Sequence, residues 1–235
     1  MVAALLRIAV ALTVAAAGLL APVAGTAPAG TAQAADLQFF DPGNIISDAV
    51  FFDGLSMDGP AIQAFLSLKG TNCVAYEMPC LKDYVQNTAN QPADQYCAGY
   101  AGAVRESAAN IIAKVGASCR VNPEALLVLL QKEQGLITKR SPTFYAYDQA
   151  TEFDCPDGST CNPAFSGIVS QLYFAARQFQ RYAAGDAGGY RAGRYNTIAY
   201  APAIASYNNL NNARCGTSQV FIANKATAGL CSYTP

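Results

Sequence analysis

The sequence predicts a mainly α fold, and three observations carry that prediction. Residues 122–135 read as one buried helix, three other stretches repeat apolar residues at helical spacing, and neither an internal repeat nor an interdomain linker divides them. Between the helices lie irregular stretches laced with cysteine. Residues 35–235 are therefore expected to form a single domain.

Ahead of that domain, residues 1–34 hold one charge, Arg7, followed by an apolar stretch from Ile8 to Ala24. They end in Ala32-Gln33-Ala34, the small-residue pattern that signal peptidase reads, and Pro22 with several Gly and Thr breaks up any bilayer-spanning run. A cleaved secretory signal over 1–34 is the expectation, with no membrane contact afterwards. The remaining 201 residues carry 14 basic and 16 acidic side chains, which gives no footprint for nucleic acid or an anionic membrane surface.

Residues 36–55 are loop-like, broken by Pro42, Gly43 and Gly54, and their four phenylalanines (Phe39, Phe40, Phe51, Phe52) are expected to be buried. From Pro60 to Lys69 the set Ile62, Phe65, Leu66 and Leu68 keeps helical spacing, with Gly70 as the stop. After a connection over 71–98, a second helix is predicted over about 101–116, with Val104, Ala108, Ile111, Ile112 and Val115 on one stripe. The third helix has Asn122 as N-cap, Pro123 at the first position, Glu124 toward the positive end of the dipole and Gly135 as left-handed C-cap. Its run Ala125-Leu126-Leu127-Val128-Leu129-Leu130 is apolar all round, which predicts burial on every side. Residues 140–165 read as irregular or short-stranded, a fourth helix covers about 166–184, a Gly-rich turn follows over 185–193, and a short helix near 219–230 closes the domain.

The chain has eight cysteines and no histidine. Without histidine there is no Ser-His-Asp triad, no Cys-His dyad and no His-ligated zinc site, so proton transfer falls to carboxylates, Tyr, Lys or Cys. An even cysteine count in an exported chain reads as four disulfides. Cys73/Cys80 and Cys155/Cys161 each bracket a short loop containing Pro, which suggests sequential pairing: Cys73–Cys80, Cys97–Cys119, Cys155–Cys161 and Cys215–Cys231. No C-x-x-C pair, no calcium-loop spacing and no phosphate-binding glycine pattern occurs, so neither metal nor cofactor is expected.

Glu133 is the first candidate for chemistry. It lies three, four and seven positions after Leu130, Leu129 and Leu126 and shares their side of the helix. A carboxylate at the negative end of a helix dipole, among apolar neighbours, is driven toward its protonated form, which suits protonation of a glycosidic oxygen. The plainer alternative is a solvated Glu paired with Lys132 or Lys139. Glu106 competes for the role through its Glu106-Ser107 dipeptide, but the predicted second helix puts it on a mid-helix polar face.

Glu133-Gln134-Gly135-Leu136, ending a buried helix, resembles the catalytic segment of lytic transglycosylases and goose-type lysozymes. Ala203-Ile204-Ala205-Ser206-Tyr207-Asn208-Asn209 is similar to that superfamily's Ala-Tyr-Asn-Ala-Gly segment. More broadly, Phe40 to Asp48, Ile62 to Leu66, Leu126 to Thr138 and Asn224 to Ala228 resemble secreted actinobacterial cell-wall proteins with a lysozyme-like domain. The sequence departs from the superfamily in having Gln134 where Ser is usual, in lacking a Gly-Leu-Met-Gln segment, and in having Asn209-Leu210 for Ala-Gly.

The resemblance implies a lysozyme-like fold, a monomeric protein acting on the MurNAc-GlcNAc β-1,4 bond of peptidoglycan glycan strands, and Glu133 as the acid. It also implies a site near Gln134, Tyr207 and Asn208. Transglycosylation needs only one carboxylate. Hydrolysis of the two-carboxylate kind needs a second, for which Asp148, Glu152, Asp154 and Asp157 are candidates and Asp148, set among aromatics, comes first. With no Trp, sugar stacking falls to Tyr: Tyr145 and Tyr147 are the better candidates, whereas Tyr173 reads as core. The rival from another class is a wall-binding or adhesive protein that keeps the fold without the chemistry.

Overall fold

Three helices built from local sequence signals meet at the centre of the molecule, and α3 is their hub. The structure is a computed structural model that describes residues 39–156, 159–199 and 217–233. The leader, Asp157, Cys215, Tyr207 and Asn208 lie outside the described residues. The described part is mainly helical.

α1 is a single turn, Asp48–Phe51, capped by the Ser47 hydroxyl, which accepts from the Val50 amide. α2, Gly59–Lys69, starts at Asp58, whose carboxylate accepts from the Ala61 amide, and carries Pro60 in its first turn. α3, Ala108–Cys119, buries Ile111, Ile112 and Val115 against α2, α4 and α6. α4 spans Pro123–Gln134, with Asn122 accepting from the Glu124 amide and Gly135 at φ +63° as its left-handed stop. α5, Phe144–Asp148, is a short helix capped by Thr143. α6, Ile168–Ala184, has its apolar stripe on α3 and on α7, Lys225–Ser232.

Two small antiparallel ribbons complete the fold. β1, Val85–Gln86, pairs with β2, Glu106–Ser107, and β3, Arg194–Ala199, pairs with β4, Thr217–Ile222, through a register that sets Tyr195 opposite Phe221. Gly43 lies against β4 so closely that an added Cβ would meet the Phe221 carbonyl oxygen, and the Ala223 amide donates to the Gly43 carbonyl. Disulfides join Cys73 to Cys80, Cys97 to Cys119 and Cys155 to Cys161, following the sequential pairing. Cys231 is not disulfide-bonded among the described residues, and its predicted partner Cys215 is outside them. No helix among the described residues is long and apolar enough to cross a membrane.

Several expectations need correction. The second helix begins at Ala108, not near 101, because Ser107 caps it and the residues before it pair with β1. Its hydrophobic stripe loses Val104, which is exposed. The closing segment is a strand followed by a helix: Thr217–Ile222 alternates exposed and less exposed side chains, and Asn224 caps the helix by accepting from the Thr227 amide. α4 is not enclosed on every side, since Val128 is 66% exposed while Leu126, Leu127, Leu129 and Leu130 are buried. Of the four phenylalanines, Phe51 is buried and Phe52 packs edge-on against it, while Phe39 and Phe40 are exposed. Helix α5 also forms where irregular chain was expected.

Candidate functional site

α4 presents two different faces. At about 100° per residue, Leu126, Leu129, Leu130 and Glu133 share one side, and Glu124, Leu127, Val128 and Gln131 lie roughly opposite. The second set lines a 460 Å³ apolar groove with Met57, Phe65 and Ile137. Glu133 thus belongs to the core-facing side, at the last turn of the helix.

The Glu133 side chain is only 6% exposed, and its Oε1 lies 2.5 Å from Lys132 Nζ, on a lysine whose side chain is 61% exposed. Both the buried position and the ion pair were among the alternatives open in the sequence. The neighbouring Gln134 is half-buried, and its Nε2 donates to Glu152 Oε1 at 2.7 Å. Lys139 Nζ donates to the Gln134 carbonyl at 2.7 Å, which caps the negative end of α4 with a cation.

Glu152 is held from both sides by a buried amide. Gln171, in α6, accepts from the amides of Thr151 at 3.2 Å and Phe153 at 3.0 Å, and its Nε2 donates to the carbonyls of Phe153 and Phe165. The Thr151 hydroxyl donates to the Gln171 carbonyl at 2.9 Å. Glu152 between them adopts φ +53°, a left-handed conformation that a non-Gly residue keeps only where its surroundings enforce it. Tyr233 closes the same region by donating to the Thr151 carbonyl at 2.9 Å. Its phenol is raised above the ordinary tyrosine range, first by burial and then by the negative charges of neighbours that include both Glu133 and Glu152.

Gln134 and Glu152 are therefore joined at the end of α4, and the charges of Glu133 and Glu152 both bear on Tyr233. Asp148, the first-ranked second carboxylate, ends α5 with an exposed side chain, and its charge bears on Tyr84. The carboxylate that accepts from Gln134 is Glu152 instead. Tyr147 is buried, stacks on Tyr84 at 4.6 Å and donates to the Pro79 carbonyl, so it has no ring face for a sugar. That corrects its placement as a platform. Tyr145 is exposed, and Tyr173 is in the core, with its hydroxyl on the Pro92 carbonyl. Tyr207 and Asn208 lie outside the described residues.

Sequence reasoning gave Gln171 and Tyr233 no role. Gln171 carried a visible signal, a polar residue between Val169 and Leu172 on an otherwise apolar helical stripe. Tyr233 carried none, because its partners lie far away in sequence.

Glu106 turns out to be buried rather than solvated. Its Oε2 accepts from Thr88 Oγ1 and from Tyr100 OH, both at 2.5 Å, and Lys114 Nζ lies 2.5 Å from Oε1. Burial alone would raise its proton affinity. Bonds from Lys114, Thr88 and Tyr100, with the lysine charge, outweigh that and hold the carboxyl below the usual range. It is an anion locked in place, unsuited to donate a proton.

No family model, curated protein or solved structure matches the chain.

Proposed function

We propose that the protein is a secreted peptidoglycan-cleaving enzyme with a lysozyme-like domain, acting on the β-1,4 glycan with Glu133 as general acid. The observation that carries this reading is a nearly buried glutamate at the end of a core helix, tied through its neighbour Gln134 to a second carboxylate, Glu152. The resemblance of Glu133 to Leu136 to transglycosylase segments supports the same assignment, and the three disulfides support export into an oxidising compartment.

In the proposed reaction Lys132 swings into water and leaves Glu133 to take up a proton. Glu133 passes that proton to the glycosidic oxygen as the C1–O bond breaks. Two endings balance. In transglycosylation, the Glu133 carboxylate accepts the proton of the muramic acid 6-hydroxyl, whose oxygen bonds to C1 and closes an anhydro ring. In hydrolysis, Glu152 accepts a proton from a water whose oxygen bonds to C1, and a reducing end is left. The exposed ring of Tyr145 is available for sugar stacking.

A second reading has its own observation. The Lys132–Glu133 ion pair is what a non-catalytic wall-binding protein with the same fold would show, since it neutralises the acid. Incubating peptidoglycan sacculi with the wild type and with Glu133→Gln, followed by mass spectrometry of soluble products, decides between them. Anhydro-muropeptides or reducing muropeptides from the wild type alone support the enzyme and identify its ending. Binding without release by either protein overturns it. Full activity in Glu133→Gln overturns the assignment of the acid.

A further inference from the structure

The β3–β4 ribbon has one buried face and one open face, and the open one has a distinct chemistry. On the inner side Ile222 and Asn196 are buried, and Asn196 fixes the preceding turn by accepting from the Arg191 amide while donating to the Arg191 and Arg194 carbonyls. The Gly193 amide donates to the Ile222 carbonyl at 2.7 Å and the Ala223 amide to Gly43 at 2.8 Å. A two-stranded ribbon is marginal alone, and these bonds anchor it to the body.

On the outer side alternation lines up Tyr195, Thr197, Thr217, Gln219 and Phe221. Tyr195 and Phe221 face each other across the strands, 69% and 47% exposed, with ring centroids 5.5 Å apart and planes at 68°. The next cross-strand pair joins Gln219 Nε2 to Thr197 Oγ1 at 2.6 Å. The edge-to-face pair holds the rings in place, so little rotamer freedom remains to be lost when a ligand lands on them.

We infer that this outer face is a binding surface for an uncharged glycan chain, with Tyr195 and Phe221 as stacking platforms and the Gln219–Thr197 pair as hydrogen-bonding partners for sugar hydroxyl or amide groups. Three features choose that occupant. Among the described residues no Lys, Arg, Asp or Glu lies on the face, which removes the attraction a nucleic acid, an anionic lipid or a charged peptide would need. Six residues at ~3.3 Å and two strands ~4.8 Å apart make a face of about 200 Å². A stable protein partner covers about 800 Å² per side, several times the area of this strip of described residues. What remains is a narrow, neutral strip of rings beside amide and hydroxyl groups, which matches the apolar ring faces and polar rims of pyranoses.

The surface is independent of the Glu133 assignment, and the test keeps the two apart. Binding of N-acetylglucosamine hexamer would be titrated calorimetrically against the full chain in a Glu133→Gln background. Saturable binding is expected, weakened about tenfold or more by Tyr195→Ala or Phe221→Ala and retained in Tyr195→Phe, since the ring rather than the hydroxyl does the stacking. Gln219→Glu, which keeps shape but adds charge and removes a donor, is also expected to bind more weakly. No binding by the Glu133→Gln protein, or unchanged binding in Tyr195→Ala and Phe221→Ala, overturns the inference. So does sedimentation showing a dimer that Tyr195→Ala dissociates, because the face would then serve a second copy. Ribbon-dependent binding without release from sacculi by the wild type would leave this inference standing and defeat the enzyme reading.

Discussion

Glu106 and Glu133 are buried to nearly the same degree and are held in opposite ways. Glu106 is saturated: Lys114, Thr88 and Tyr100 all converge on its two oxygens. Glu133 has, among the described residues, one charged partner, and that lysine stands mostly in water. A buried carboxylate with bonded partners on both oxygens is a structural tie. One paired with a lysine that stands in water is held far more loosely, which is what the proposed role of Glu133 requires. Burial alone does not separate the two roles; the partners do.

The largest effect expected from this contrast is on stability. Glu106→Gln leaves the Lys114 ammonium without its counter-ion in a partly buried site and should cost about 3 kcal/mol. At roughly 2–4 °C per kcal/mol for a chain of this size, the melting temperature should fall by about 6–12 °C. Glu133→Gln should cost less than about 1 kcal/mol, because its partner is exposed. Urea unfolding of both variants measures the difference, and equal losses would break the contrast.

Gln171→Leu comes next. Its loss strands the Thr151 and Phe153 amides and the Phe165 carbonyl in the core, at about 2 kcal/mol. It also releases the clamp on both sides of Glu152. If cleavage ends in hydrolysis, reducing muropeptides should decline in this variant more than the unfolded fraction explains. A decline no larger than that fraction would make Gln171 purely structural.

Local signals made much of this legible beforehand. Asn122, Pro123 and Gly135 place both ends of α4, because a cap and its helix lie within a few residues of each other. The Cys73–Cys80 and Cys155–Cys161 disulfides likewise close short bracketed loops, whereas Cys97–Cys119 spans 22 residues. What escaped was long-range pairing. β2 joins β1 across some twenty residues, so Glu106 looked like a helical surface residue and Val104 like part of a stripe. Glu152 was visible as one acid among several, but its link to Gln134 depends on how the loop after α5 folds back onto α4. The strand at Thr217–Ile222 was missed although its alternation was present, because its paired residues precede it by 18 to 28 positions.

A smaller effect tests the charge state of Glu106. Its folded-state carboxyl lies below the ordinary glutamate range, so the stability it contributes is fully present above the unfolded value of about 4.3 and is lost as pH falls through the lower folded value. Wild type should therefore lose stability on acidification below about pH 4 more steeply than Glu106→Gln does. Parallel curves would mean that Glu106 is not held as an anion.

The smallest expected effect on stability comes from the other lysine, and it is the most direct probe of Glu133. Lys132→Met removes an exposed partner and should change unfolding free energy by less than about 0.5 kcal/mol. Its effect belongs on cleavage instead, because the proposed reaction needs the lysine to leave the carboxylate before Glu133 can reach the glycosidic oxygen. Lys132→Met should therefore raise the rate of muropeptide release from sacculi while leaving the fold intact. Lys114→Met, which strips Glu106 of its counter-ion, should lower stability and leave release per folded molecule unchanged. If release in Lys132→Met equals that of the wild type, the lysine does not gate Glu133, however well that carboxylate is buried.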